Sequence, residues 1–226
     1  MPKQKPAKAY PALAEALKQN RNTWPVWWSK LFVCLDLLKY DEAIQACNQL
    51  MDFRMRKNMA ANIPLLEERC IRGLVGGTLR ILNDAKASGD AAAIESATRT
   101  IDRLSNLLQR LSSSISEPWI WQVFAFFHEN LNRSALVLDD LLKEFRLLQT
   151  TKGWETDAEH VKRVVNAALQ INAIYQQEGS KESEAKARLM INRLIKRIKS
   201  SYMDTASIPN EVALLEEKLE GVSTVE

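Results

Sequence analysis

The sequence predicts an all-α protein in which antiparallel helix-turn-helix repeats continue into a degenerate helical C-terminal bundle. Three observations predict this fold. The 226 residues hold only 7 Gly and 7 Pro while Leu, Ala, Glu, Lys, Arg and Gln abound, a balance that favours helix over sheet. A segment near the N-terminus recurs at an offset of 34 residues. Beyond residue 60 the repeat blurs, but apolar residues keep returning at helical spacing. The length suits one or two domains with a sizeable core. The expected division is residues 1–58 for the repeats, the first of them truncated, and 59–226 for the degenerate helical region.

The elements follow in order. Laying residues 8–20 (KAYPALAEALKQN) over 42–54 (EAIQACNQLMDFR) sets Ala9 on Ala43, Ala12 on Ala46, Leu13 on Cys47, Ala16 on Leu50 and Leu17 on Met51. Small residues recur where helices must approach closely, as expected of a helix-turn-helix array. Residues 25–53 then form one full unit. Its first helix spans about Pro25 to Leu38, with Trp27, Leu31, Cys34 and Leu38 on one stripe. Pro25 suits the first turn, where its missing N–H costs nothing, and Trp24 stands ready to staple the start of the helix. The KYDEA turn contains no Gly, and the second helix carries Ala43, Ala46, Cys47, Leu50 and Met51. The opposite stripe of the first helix holds Trp28, Phe32 and Leu35.

A long helix over IPLLEERCIRGLVGGTLRILNDAKASG is expected to stop at Ser88-Gly89, with Gly73, Gly76 and Gly77 weakening it or permitting a close crossing. Asp90 then caps a helix with Ile94, Ala97, Ile101, Leu104 and Leu108 in register. SEPWIWQVFAFFHENLN opens a degenerate repeat with Trp121, Phe124, Ala125 and His128 on its inner stripe, and RSALVLDDLLKEFRLLQ supplies its second helix. KGWETD (152–157) precedes a helix with Val161, Val164, Val165, Ala168, Leu169 and Ile171. The last long helix covers about 181–203, with Ala185, Leu189, Asn192, Ile195, Ile198 and Tyr202 assigned to its inner stripe. SIPNEVALLEEKLEGV then closes the chain, with STVE frayed at the end.

The 25–53 unit resembles the tetratricopeptide repeat through Trp27, Tyr40, Ala43 and Leu50, with Cys34 and Cys47 at apolar consensus places. Lys30 departs from the usual Leu, and Leu31 from the usual small residue. In this repeat class the Trp28, Phe32, Leu35 stripe looks into the concave groove. Some such repeats grip a chaperone's C-terminal carboxylate with Lys and Asn there. The corresponding places here hold Trp28, Ser29 and Phe32, so that clamp is absent. In order and spacing, EALKQNRNTWPVWWSKLFV…YDEAIQACNQLMDFR, EPWIWQVFAFF and KGWETD…VKRVVNAAL resemble the tetratricopeptide repeat protein twenty-seven family of eukaryotes. The resemblance implies a non-enzymatic, cytoplasmic and nuclear helical protein linked to chaperone-assisted assembly of other complexes. It also implies either the C-terminal part of a longer superhelix or an atypical short relative.

Composition narrows the classes of work. A net charge of +3 is too mild to imply a nucleic-acid or membrane partner by itself. No apolar run reaches about 18 residues, so no membrane span is expected, and MPKQKPAKAY reads as a solvated start, not a secretory signal or an import patch. Three cysteines in apolar surroundings, without CxxC, point to buried thiols in a reducing compartment. Cys34 and Cys47 occupy neighbouring helices of one repeat, but a redox or metal pair is not expected, because no third or fourth ligand stands at a fitting spacing. His128 reads as a satisfied core or groove residue and His160 as exposed. GLVGG lacks a phosphate-loop pattern. The expectation is therefore no catalytic residue, no metal, no cofactor and no small-molecule substrate.

What remains is a binding module. Trp28, Phe32 and Leu35 are candidate anchors for a protein partner. The helix from Lys181 to Lys199 carries seven basic and two acidic residues, and Lys186, Arg193, Lys196, Arg197 and Lys199 form its candidate contact face. Nucleic acid is the second partner class considered for that face, although no aromatic residues interleave the basic ones for stacking.

Overall fold

The computed structural model describes residues 6–20, 23–55, 67–203 and 207–220, and every regular element among them is helical. The chain divides into two compact units, Met1–Ser116 and Glu117–Glu226. The boundary expected between residues 58 and 59 lies outside the described residues, as do the start of the helix expected from Ile63 and the terminal STVE.

The first unit holds α1 (Pro6–Gln19), α2 (Trp24–Asp36), α3 (Tyr40–Met55), α4 (Glu68–Ser88) and α5 (Ala91–Ser112). α1 begins at Pro6 and α3 at Tyr40, which is the offset seen in the sequence. α2 packs against α1 and α3, while α4 and α5 close over α3. Trp27, Leu31 and Cys34 are buried along α2, facing Ala43, Ala46, Cys47, Leu50 and Met51 of α3. Trp24 is half-buried at the first residue of α2, and Pro25 lies in the first turn as expected. Asp90 caps α5 by accepting from the Ala92 N–H at 2.9 Å. Gly89, at φ 70°, ends α4.

Of the three α4 glycines, two face open space. Gly77 does not: a Cβ there would overlap the Tyr40 ring, which is buried against this helix. Close crossing is thus the use of one glycine, and α4 runs unbroken through all three.

Leu38 corrects the expected stripe. α2 ends at Asp36, and Leu38 lies in the turn at φ 58° with 52% of its surface exposed. The Lys39 N–H donates to the Cys34 carbonyl at 2.8 Å and the Leu38 N–H to Leu35 at 3.1 Å, which is a Schellman ending with leucine in the left-handed position. That conformation costs a non-glycine residue about 1 kcal/mol.

The second unit holds α6 (Trp119–Asn130), α7 (Ser134–Leu148), a 3-10 turn (Trp154–Thr156), α8 (Ala158–Glu178), α9 (Lys181–Lys199) and α10 (Asn210–Glu220). Each helix packs on the next, and α10 also touches α8. α6 ends as α2 does: Asn132 takes φ 56°, and the Arg133 N–H donates to the His128 carbonyl at 2.9 Å. Trp154 is wholly buried among Val161, Val164, Ile191, Leu194 and Ile198. Ser180 and Asp157 cap α9 and α8 through the N–H groups of Ser183 and His160.

The inner stripe of α9 is Ser183, Ala187, Ile191, Leu194, Ile195 and Ile198. This corrects the expected stripe: Ala185 and Asn192 are exposed, and Leu189 is half in water. Isolated apolar side chains are ordinary on protein surfaces, and Leu189, half in water, is one of them.

Candidate functional site

The expected anchor stripe is assembled on α2. Trp28 and Phe32, four residues apart, meet edge to face with ring centroids 5.6 Å apart. Trp28 and Leu35 are half-buried, and Phe32 is 38% exposed. Trp27, one position before Trp28, lies about 100° round the helix and is core. The three neighbouring tryptophans of WPVWW therefore separate into a core residue, a helix-start residue and a half-exposed outer residue.

The basic face of α9 is also where the sequence puts it, since Lys186, Arg193, Lys196, Arg197 and Lys199 are all exposed. Three of the five are already engaged. Lys186 pairs with Glu182 at 2.7 Å, Lys199 with Glu216 at 2.5 Å, and Arg197 with Glu155 at 2.7 Å. Arg197 also lies over the Trp154 ring, 5.1 Å from its centroid, so it is part of the packing around KGWETD. The positive field of this helix is correspondingly reduced. The two candidate sets lie in different units of the chain.

A polar knot that the sequence reading did not assemble binds α1, α2 and α3. The Glu42 carboxylate accepts from the Tyr10 hydroxyl at 2.5 Å and pairs with Lys30 at 3.2 Å and Lys39 at 3.3 Å. Lys30 is only 9% exposed and lies over the Trp27 ring at 5.3 Å. Burial works to raise Glu42, but the hydrogen bonds from Tyr10, Lys30 and Lys39 outweigh it and hold the carboxyl below its usual range. The Glu42 bond in turn raises the Tyr10 phenol. Lys30 stood out in the sequence as a lysine where the repeat carries leucine. The missing signal was its partner, an acidic residue in the first turn of the following helix.

The second unit buries polar groups more deeply. His128 Nδ1 lies 2.6 Å from Asp140 Oδ2, with both side chains almost fully enclosed. Gln122 donates to the buried Glu144 carboxylate, and Lys143 covers the Trp121 ring at 4.5 Å while reaching Asp139 at 2.5 Å. His128 is thus a satisfied core residue. His160 is half-buried, not exposed as expected: its Nε2–H donates to the Leu148 carbonyl at 2.6 Å, tying α8 back to α7.

All three thiols are free and buried. Burial pushes Cys34 up to about 11 and raises Cys47 and Cys70 as well. Cys47 also feels Cys70 of α4, and Cys34 feels Glu42, Lys30 and Lys39. Among the described residues no group of three or more His, Cys, Asp or Glu is placed to hold a metal ion. No helix among them is long and apolar enough to cross a membrane.

No protein-family model matches the chain. It is 25% identical over 202 residues to a tetratricopeptide repeat protein 27 homolog of Dictyostelium discoideum, covering 88% of this chain and 22% of that protein. It is 21% identical over 209 residues to a TPR repeat-containing protein of Schizosaccharomyces pombe, covering 88% of this chain and 24% of that one. The chain therefore spans less than a quarter of the length of these relatives. A crystal structure of a de novo designed helical repeat protein aligns over 97% of this chain and 92% of its own at 14% identity, with a TM-score of 0.31. That score is too low to carry an argument, and the all-helical fold stands on the helices themselves. The two curated relatives, with the helix-turn-helix units and their 34-residue offset, support a tetratricopeptide repeat protein 27-like family for this chain.

Proposed function

We propose that this chain is a non-catalytic protein-protein interaction scaffold whose primary contact is the outer stripe of α2. The observation that carries the reading is Trp28 and Phe32, paired edge to face on the surface while the adjacent Trp27 fills the core. A few side chains, Trp prominent among them, supply most of the binding energy of a protein interface once a partner covers them. The relatives' names, which speak of tetratricopeptide repeats, support the same class of work. The finer reading places the chain in the cytoplasm and nucleus, in chaperone-linked assembly of other complexes. With Trp28, Ser29 and Phe32 at the clamp positions, such a link would use another surface than the repeat groove's carboxylate grip.

The test is cross-linking in lysate with the full chain and with Trp28→Ser/Phe32→Ser. The double variant is expected to keep its helical circular dichroism and to lose the cross-linked proteins recovered by the unaltered chain. Recovery of the same proteins in the same yield would remove α2 as the contact. The second reading, nucleic-acid association, rests on Arg193 and Lys196, the two of the five candidate basic residues with no ion pair among the described residues. It predicts RNA or DNA binding that falls steeply with salt, and it is removed if no shift appears in a gel at low salt.

A further inference from the structure

The turn that ends α2 is built against local preference. Its left-handed position holds leucine, and that leucine is left 52% exposed. The matching turn after α6 uses asparagine, a residue that tolerates the conformation. Leu38 therefore pays a backbone strain without recovering it by burial in its own unit, and such outliers mark sites where another role holds the residue in place.

Its surroundings say what that role is. Leu38 lies at one side of an open cleft of about 610 Å³ between the start of α3 and the α4–α5 hairpin. On the α4 side stands Ile81, also a large apolar side chain and 40% exposed. Small residues, Ala85, Ala93 and Ala97 among them, also line it and leave room between the larger side chains. Four charged residues line it. Glu42 is already held by two cations, Lys39 at 3.3 Å and Lys30 at 3.2 Å, so it offers no free charge. Asp41 meets Arg103 at 3.1 Å across an exposed pair, the kind that a competing cation displaces readily. Asp84 is exposed and forms no ion pair among the described residues. The cleft thus offers two exposed apolar side chains, small residues beside them and acidic groups at Asp84 and Asp41.

We propose that this cleft docks a peptide segment of another protein that inserts one aliphatic or aromatic side chain between Leu38 and Ile81 and sets a neighbouring Lys or Arg on Asp84 and Asp41. The choice of occupant rests on charge complementarity at the rim and on room for one side chain above the alanines. It rests on the scaffold reading above and adds a second contact, on a different part of the first unit from Trp28 and Phe32.

The experiment is selection of a random peptide phage library on the full chain, followed by affinity measurement of the enriched synthetic peptides. The expected result is peptides with an apolar residue next to Lys or Arg, amide shifts at Leu38, Ile81 and Asp84, and binding that weakens with salt. Leu38→Asn is expected to weaken these peptides at least fivefold while leaving the melting temperature equal or higher, because it removes both the anchor and the strain. Asp84→Lys is expected to weaken them tenfold or more with the fold unchanged. Peptides without a basic preference, or peptides that bind Leu38→Asn and Asp84→Lys as tightly as the unaltered chain, would overturn the proposal. If peptides enrich but lose binding only in Trp28→Ser/Phe32→Ser, the cleft fails while the scaffold reading stands. If none enriches on either surface, the cleft fails as a peptide site and the scaffold reading is left to its own cross-linking test.

Discussion

The two helical hairpins α2–α3 and α6–α7 share one design and fill it with opposite chemistry. Setting Leu38 on Asn132, their common left-handed position, brings Trp27 onto Trp121, Cys34 onto His128, Ala46 onto Asp140 and Leu50 onto Glu144. In the first hairpin those sites form a close-packed apolar interior, and the one enclosed charge, Lys30, joins the cluster that Glu42 makes with Tyr10 and Lys39. In the second, the same interior positions hold a histidine and two carboxylates, nearly sealed from water. The helix-turn-helix unit thus tolerates either filling so long as every buried polar group has a partner. What differs is the penalty for error: a lost methylene leaves a cavity, whereas a lost carboxylate leaves its partner buried alone.

The largest expected effect tests that contrast directly. Asp140→Ala should destabilise the second unit by about 3 kcal/mol, because His128 stays enclosed without its partner. His128→Leu combined with Asp140→Ala should recover at least half of that loss, since the second hairpin then carries the apolar filling of the first. Urea unfolding of the three proteins measures both. If the double variant is as unstable as the single one, the polar core is a positive contributor and the comparison is broken.

Next in size is the glycine notch of the first unit. Gly77→Ala should cost about 2 kcal/mol, because the new methyl must displace the buried Tyr40 ring. Gly76→Ala, one residue away and facing open space, should instead add about 0.5 kcal/mol or more through helix propensity. Thermal melts of the pair separate backbone freedom from close approach.

The smallest effect concerns the edge charges. Glu42 is held below its ordinary 4.5 in the folded chain, so its contribution is present above that pH and is lost as pH falls through the lower folded value. The first unit should therefore lose stability in acid below about pH 4.5. Glu42→Gln should flatten that loss and cost about 1 kcal/mol at neutral pH, where Lys30 is left enclosed without a counter-charge. A set of urea midpoints between pH 3 and 7 reads the difference.

Much of this was legible in the residues. The small-residue repeat, the Trp27 stripe, the stop at Gly89 and the Asp90 cap each depend on local chemistry, which a sequence displays directly. Two features were not legible. Leu38 continued the apolar spacing of α2, so it read as core; only a Schellman bond from Lys39 to Cys34 shows that the helix has already ended. The inner face of α9 was misread in its first half because Leu189 is apolar yet points to water, and the enclosed Ser183 is polar yet satisfied by Ser180 and Glu178. The candidate site divides the same way. Half-buried Trp28 and exposed Phe32 could be placed from helical phase. The pairing of Arg197 with Glu155 and Trp154 joins residues distant in the chain, and spacing alone does not reveal it.

All three cysteines fall in the first unit, each buried, and the second unit has none. A thiol-modifying reagent will therefore stay silent until the first unit opens, and it will never report on the second. Labelling rates measured at several reagent concentrations would give the opening and closing rates around Cys34, Cys47 and Cys70 without any introduced probe. The chain carries its own stopwatch for one half of the molecule.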